Sequence, residues 1–384
     1  MIATMAFRQS SVHPRPAHGV ALLLPLILVG ALSATPAQAG SPPPDYWPTE
    51  EWRTSPPEAQ GLDGNLLNQL VGLIAEGEQY PDLHSLLVIR HGYLVIEEYF
   101  AGQEAERSHT LQSVSKSFTS AAIGIAIEEG FIEGVQEPVL GFFPEIENID
   151  NLDDRKRAMT LEDLLTMRSG TDYHERGPGS PHFQLNELPT GWTEFVLDRP
   201  MVSDPGTTFQ YDSGAVILAS AIIEARTGEH ADTFLEKHLF QPLGISNAWW
   251  FRNEEGHPHT GGGLWLRPRD MAKFGMLYLH EGRWEENQVV PAAWVETSTK
   301  RHVTFTKVRR NMTGYGYWWW ILRPDPEGDW KTEIYAACGF RAQYIFVIPE
   351  QDMVVVVTGG TENSEDQNKP REFLYSHILP AVVR

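Results

Sequence analysis

One cysteine, Cys338, stands in 384 residues, so no disulfide can form within the chain. A chain of this length buries enough apolar surface to fold without one. Cations are scarce: 30 Lys and Arg face 51 Asp and Glu, a formal net charge of −21. That balance argues against nucleic acid and anionic membrane as partners, because both require clustered positive charge. Familiar chemical signatures are missing too. There is no G-x-S-x-G, which excludes the strained strand-to-helix elbow of the α/β-hydrolases. There is no H-E-x-x-H and no cysteine cluster, and no Gly-rich loop has dinucleotide or phosphate-loop spacing. His257-Pro-His259 and His174-Glu175 invite a metal reading, but the histidines are read as solvated loop residues. No metal and no cofactor is expected.

The N-terminus has the character of a transport signal. Arg8 and Arg15 precede an apolar run from Val20 to Val29, and Ala37-Gln38-Ala39 supplies small residues for cleavage. The run is too short to span a bilayer, and Pro-rich polar sequence follows it. Residues 1–39 are therefore expected to be a signal peptide, with the mature chain beginning at Gly40 in the periplasm or outside the cell. No stable membrane insertion is expected after its removal.

Residues 40–61, rich in proline, read as a linker. Leu66, Leu67, Leu70, Leu73 and Ile74 then mark an amphipathic helix. Leu86–Ile89 and Tyr93–Phe100, around Arg90-His91-Gly92, read as a β-hairpin. A capping-box start at Thr160-Leu-Glu-Asp163 opens a helix, and 216–226, 231–239 and 268–279 supply three more. Strands are expected over 314–322, 334–338, 344–349 and 353–358, with a last helix over 370–382. This order predicts an α/β protein, an antiparallel sheet flanked by helices. The sheet is built from residues 62–154 and 286–384, and residues 155–285 form an inserted all-helical lobe.

Ser113-Val-Ser-Lys116 is the sole S-x-x-K in the chain, at the start of an apolar helix that ends near Gly130. Three residues apart on a helix, a serine and a lysine face the same way. A hydroxyl needs a neighbouring base to become a nucleophile, and a desolvated lysine can be that base. Tyr211-Asp-Ser213 is the sole Y-x-[NS]; its phenol can act as general base or proton relay beside an ammonium. Ala337-Cys-Gly339 lies on a strand, where glycine allows close backbone approach and the next N–H can bind an oxyanion. Cys338, facing away from Ala337 and Gly339, is read as a core residue. The run Trp318-Trp-Trp320 is read as core packing on a strand, with an acyl-pocket wall as the alternative.

In this order the three elements resemble the serine β-lactamase-like superfamily. That group includes penicillin-binding proteins, family VIII carboxylesterases and 6-aminohexanoate-dimer (nylon-oligomer) hydrolases. LEDLLTMRSGTDY, GGGLWLRPRDMAKFGMLYL and CGFRAQYIFVIPEQDMVVVVTGG look like the nylon-oligomer hydrolase branch. The resemblance implies a serine β-lactamase/D,D-peptidase-like fold with Ser113, Lys116 and Tyr211 as catalytic residues. It further implies an oxyanion hole from the backbone N–H groups of Ser113 and Phe340. Tyr173, Ser213, Ala337, Gly339 and Arg341 would line the substrate site.

Two departures shape the expected substrate. Ser213 stands where asparagine is commoner, and Ala337 replaces the cationic or donor residue that opens K-T-G or H-T-G. Losing that charge-assisted contact to a substrate carboxylate costs about 1.5–3 kcal/mol, some tenfold to a hundredfold in affinity. Small uncharged esters or amides are therefore expected substrates, hydrolysed through a Ser113 acyl-enzyme. Arg341 is the residue that could restore a carboxylate contact. The alternatives are a β-lactamase or D,D-peptidase, and an acyl-binding protein that labels without turnover. Which of Lys116 and Tyr211 is the base stays open, because coupled groups titrate as a pair.

Overall fold

Alternating side chains divide the central strands between two cores. Leu87, Ile89, Val354, Val356, Ile345 and Val347 face one of them. Leu86, Val88, Val355, Val357, Phe346 and Ile348, their neighbours in sequence, face the other. A strand covered on both faces needs no polar positions, which is why 353–357 reads as an unbroken apolar run. The computed structural model describes residues 44–309, 311–324 and 330–383; the expected signal peptide lies outside the described residues.

Eight strands of the described residues make the main sheet: β1 (Leu83–Arg90), β2 (Tyr93–Tyr99), β3 (Val303–Arg309), β4 (Met312–Tyr315), β5 (Trp320–Leu322), β6 (Ile334–Gly339), β7 (Gln343–Ile348) and β8 (Met353–Gly359). They form one antiparallel sheet in the order β2-β1-β8-β7-β6-β5-β4-β3. The early hairpin thus joins the last strand, and residues 100–302 return between them. Short strands at Trp249–Trp250, Leu264–Leu266 and Arg283–Trp284 pair outside this sheet, so the segment 155–285 is not all-helical. On one face lie α1 (Gly64–Glu76) and the terminal helix that begins at Lys369. Asp63 caps α1, accepting from the N–H groups of Asn65 and Leu66.

The opposite face carries α2 (Ser115–Glu128), α3 (Ser213–Thr227), α4 (Ala231–Leu235) and α5 (Pro268–Leu279). Helix α5 lies directly on the sheet: a Cβ at Gly275 would stand 2.5 Å from Val354 Cγ1. Helix α2 is buried along almost its whole length, with Gly124 admitting the Trp294 ring. The Thr160–Asp163 capping box forms as expected, at the start of a short helix, Leu161–Leu165.

Several expected elements are modified. The strand expected over 314–322 is two strands, broken at Gly316–Trp319 where Trp318 takes φ 62°. Strict alternation along the tryptophan run is lost there. The helices expected over 231–239 and 370–382 loosen to wide π turns at Glu236–Phe240 and Leu374–Ile378. Residues 44–61, read as a linker, lie against the body. The Tyr46 hydroxyl donates to Gly92 O at 2.8 Å, Lys273 Nζ donates to Thr49 O at 2.8 Å, and Trp47 packs on Trp284 at 5.0 Å.

Candidate active site

A short turn, Gln112–Val114, feeds the buried helix α2 and leaves Ser113 partly exposed at its mouth. Gln112 takes φ 48°, a strained conformation for a residue with a Cβ. Its carbonyl is held by the Ser115 hydroxyl at 2.6 Å, and its amide donates to Thr110 Oγ1 at 2.9 Å. The end of β6 closes on this turn. A Cβ at Gly339 would meet Leu111 O at 2.5 Å, so glycine is required there to bring the strand beside the Ser113 turn.

About one turn beyond Ser113, at the start of α2, Lys116 is 1% exposed. Its Nζ lies 2.9 Å from Ser113 Oγ, 2.7 Å from Ser213 Oγ and 2.5 Å from the Gly261 carbonyl. Burial pulls the Lys116 ammonium below its ordinary range, opposed by the charges of Glu175 and Asp212. Ser213 opens α3, where Asp212 caps the helix by accepting from Ala215 N at 3.0 Å. The Ser213 hydroxyl donates to Glu175 Oε1, which stands 4.0 Å from Lys116 Nζ. Asp212 is itself pushed up to about 7 by burial, against the hydrogen bonds it accepts from Ala215 and Ser169.

Tyr211 precedes the cap, its ring centroid 5.0 Å from Lys116 Nζ. Burial raises the phenol well above its ordinary range; Glu175 adds to this and the Ser113 side chain opposes it. Trp320 stacks on Tyr211 at 5.7 Å and 23°. Only Trp318 and Trp319 of the tryptophan run are therefore purely core, and Trp320 supports the site.

Ser113, Lys116, Tyr211 and Ser213 thus converge from the turn, α2 and the start of α3. The other expected site residues sit differently. Tyr173 is completely buried against Gly214 and does not line an open surface; its hydroxyl has no partner among the described residues. Ala337 is 1% exposed and packs in the core with Tyr335 and Ile345. Arg341 turns to Glu362. Phe340 is exposed in the β6–β7 turn that follows Gly339. Cys338 is half-buried against the core on the far face from Ala337, and burial pushes its thiol up to about 12.

Three residues at or near the site escaped the sequence reading. Glu175, given no role in the sequence reading, accepts from Ser213, and nothing in its flanking sequence marks it. Gly261 acts through its carbonyl, which no side-chain motif can reveal; glycine fits because a Cβ would stand 3.1 Å from Ser213 Cβ. His259, taken for solvated, is buried against Trp192 and is pushed down to about 3 by burial and by Lys116. His174 is exposed, as expected. A separate 620 Å³ cavity lies among Asp232, Trp249, Trp250 and Arg252, and none of the converging residues lines it.

Fold and site together define a hydrolase centred on a serine. The profile of the Beta-lactamase family matches residues 82–376, and the chain belongs to that family. The 6-aminohexanoate-dimer hydrolase of Paenarthrobacter ureafaciens is 27% identical over 320 residues, 75% of this chain and 77% of that protein. Among solved structures, EstCE1, a hydrolase with promiscuous acyltransferase activity, gives a TM-score of 0.64 at 17% identity, covering 81% and 98% of the two chains. An octameric penicillin-binding protein homologue from Pyrococcus abyssi gives 0.62 at 22%, covering 82% and 76%.

Proposed function

We propose that this serine hydrolase cleaves ester or amide bonds of small uncharged acyl substrates through a Ser113 acyl-enzyme. The observation that carries the proposal is the set of partners around Lys116 Nζ. A neutral amine has two protons and one lone pair. The Gly261 carbonyl can only accept, and Ser213, having given its own proton to Glu175, accepts as well. Both amine protons are then committed, and the lone pair is left for the Ser113 hydroxyl 2.9 Å away. Burial favours that neutral form.

In the proposed cycle Ser113 Oγ attacks the substrate carbonyl while its proton passes to Lys116 and Tyr211 acting together. The backbone N–H groups of Ser113 and Phe340 receive the oxyanion. The proton returns to the leaving alcohol or amine, and water then releases the acid from the acyl-enzyme. Ala337 offers no donor to a substrate carboxylate, and Arg341 is already engaged by Glu362, which supports uncharged acyl groups. The hydrolase of P. ureafaciens, named for an amide dimer, makes linear amides the first class to try after simple esters. We also propose export, from Arg8, Arg15, the 20–29 apolar run and Ala37-Gln38-Ala39.

Steady-state and burst kinetics on p-nitrophenyl butyrate, beside Ser113→Ala, test the activity. Sustained turnover that vanishes in the variant is expected. A single stoichiometric burst would instead mark an acyl-binding protein. Benzylpenicillin turned over as fast as the ester would shift the assignment to a β-lactamase.

A further inference from the structure

Where α3 ends, two histidines converge on one carboxylate. Glu224 Oε2 lies 2.9 Å from His257 Nδ1 and 3.1 Å from His230 Nδ1. The two imidazole rings meet edge to face at 5.1 Å. We propose that Glu224, His230 and His257 form a binding site for a divalent first-row transition ion, with zinc as the fitting member.

The donor set argues for that class of ion. Two imidazoles and one carboxylate suit zinc, whereas calcium and magnesium take oxygen-rich shells. At zinc bond lengths of 2.0–2.2 Å, neighbouring donors of a tetrahedral ion stand about 3.3 Å apart. The two observed separations need to open only slightly for an ion to replace the shared hydrogen bonds. Each of the three side chains is about one-third exposed, so water can take the remaining position.

The surroundings hold the ligands in place. Gly228 takes φ 74° and closes α3 by donating to Glu224 O, and this turns the chain so that His230 comes back alongside Glu224. His257 sits in a loop that bonds itself. Its N–H donates to Asn253 Oδ1 at 2.9 Å, and Asn253 N–H donates to His257 O at 3.1 Å. Behind His257, the Nε2 nitrogen lies 4.0 Å from Glu255 Oε2. At that distance Glu255 makes no hydrogen bond to the ring but adds negative charge beside it. Glu255 is anchored in turn by Gly191 N and Asn253 Nδ2.

An ion here would clamp the 252–258 loop onto the end of α3. That loop continues through His259 to Gly261, whose carbonyl contacts Lys116, and the other end of α3 is Ser213. The clamp would thus steady both segments that bear on Lys116 without touching the substrate site.

The test is metal binding by the purified chelator-stripped protein, followed by competition with a chromophoric zinc chelator and by the visible absorption of Co²⁺. One equivalent should bind, with a rise in the unfolding temperature. His257→Gln can keep a hydrogen bond to Glu224 but supplies no imidazole. It should keep the metal-free unfolding temperature, weaken Zn²⁺ binding at least tenfold and lose the Co²⁺ absorption. His230→Ala should also lose binding, whereas His174→Ala, at an exposed histidine elsewhere, should retain it. Absence of stoichiometric binding in the wild type, or binding as tight as the wild type's in His257→Gln and His230→Ala, would overturn the proposal.

Discussion

In the proposed cycle Lys116 and Tyr211 share one task, so loss of either should abolish most activity while the fold survives. Lys116→Ala and Tyr211→Phe are expected to lower kcat for an ester by a factor on the order of 10²–10⁴ while the unfolding temperature stays close to wild type. Glu175 Oε1 stands 4.0 Å from Lys116 Nζ. Its charge raises the Lys116 value that burial lowers. Glu175→Gln should therefore move the acidic limb of the kcat/KM profile to lower pH, and an unmoved limb would remove Glu175 from that electrostatic role. Asp212 gives a stability prediction. Its folded value is raised from 3.8 to about 7, so the stability it carries is complete below about pH 4 and lost as pH rises through about 7. Relative to Asp212→Asn, the wild type should lose roughly 4 kcal/mol between those limits, an order-of-magnitude figure readable from urea unfolding across pH 4–8.

At the scale of elements, the close approach of β6 to the Gln112–Val114 turn is the contact most exposed to substitution. Gly339→Ala would place a methyl 2.5 Å from Leu111 O, which is backbone and cannot swing aside. A cost of about 1–3 kcal/mol is expected, together with a fall in kcat, because the segment that must shift carries Ser113. Elements announced by local chemistry were legible in sequence. Helix α5 runs from Pro268 to Leu279 as its proline and following Gly282 indicate, and β8 and the Ser113 helix stand where their apolar runs lie. Elements set by distant partners were not. The strand β3 reads VTFTKVR, polar enough to pass for a loop, and is fixed by pairing with β4. The break at Trp318 depends on its indole reaching Leu164 O at 3.1 Å, which no local pattern encodes. The same division holds in the site. Ser113, Lys116 and Tyr211 are spaced motif residues, whereas Glu175 and the Gly261 carbonyl are brought to them by folding alone.

For the molecule as a whole, residues 44–61 belong to the folded body. Truncation to residue 62 would strip Tyr46 from Gly92, Thr49 from Lys273 and Trp284, and Trp47 from the Trp284 ring. Such a chain is expected to unfold several degrees below one that starts at Gly40, a difference that differential scanning calorimetry reads directly. The sheet order has a further consequence for how the chain comes into being. Strand β1 lies between β2 and β8, so its inner neighbour is synthesised more than 250 residues after it. Until Met353–Gly359 arrives, the hairpin exposes one unpaired, apolar edge, the kind of surface on which nascent chains stick to one another. Such distant pairing also makes for slow closure. The central sheet therefore acts as a completeness check: a chain interrupted anywhere before β8 keeps an open edge that chaperones and proteases can find, and only a finished chain can hide it.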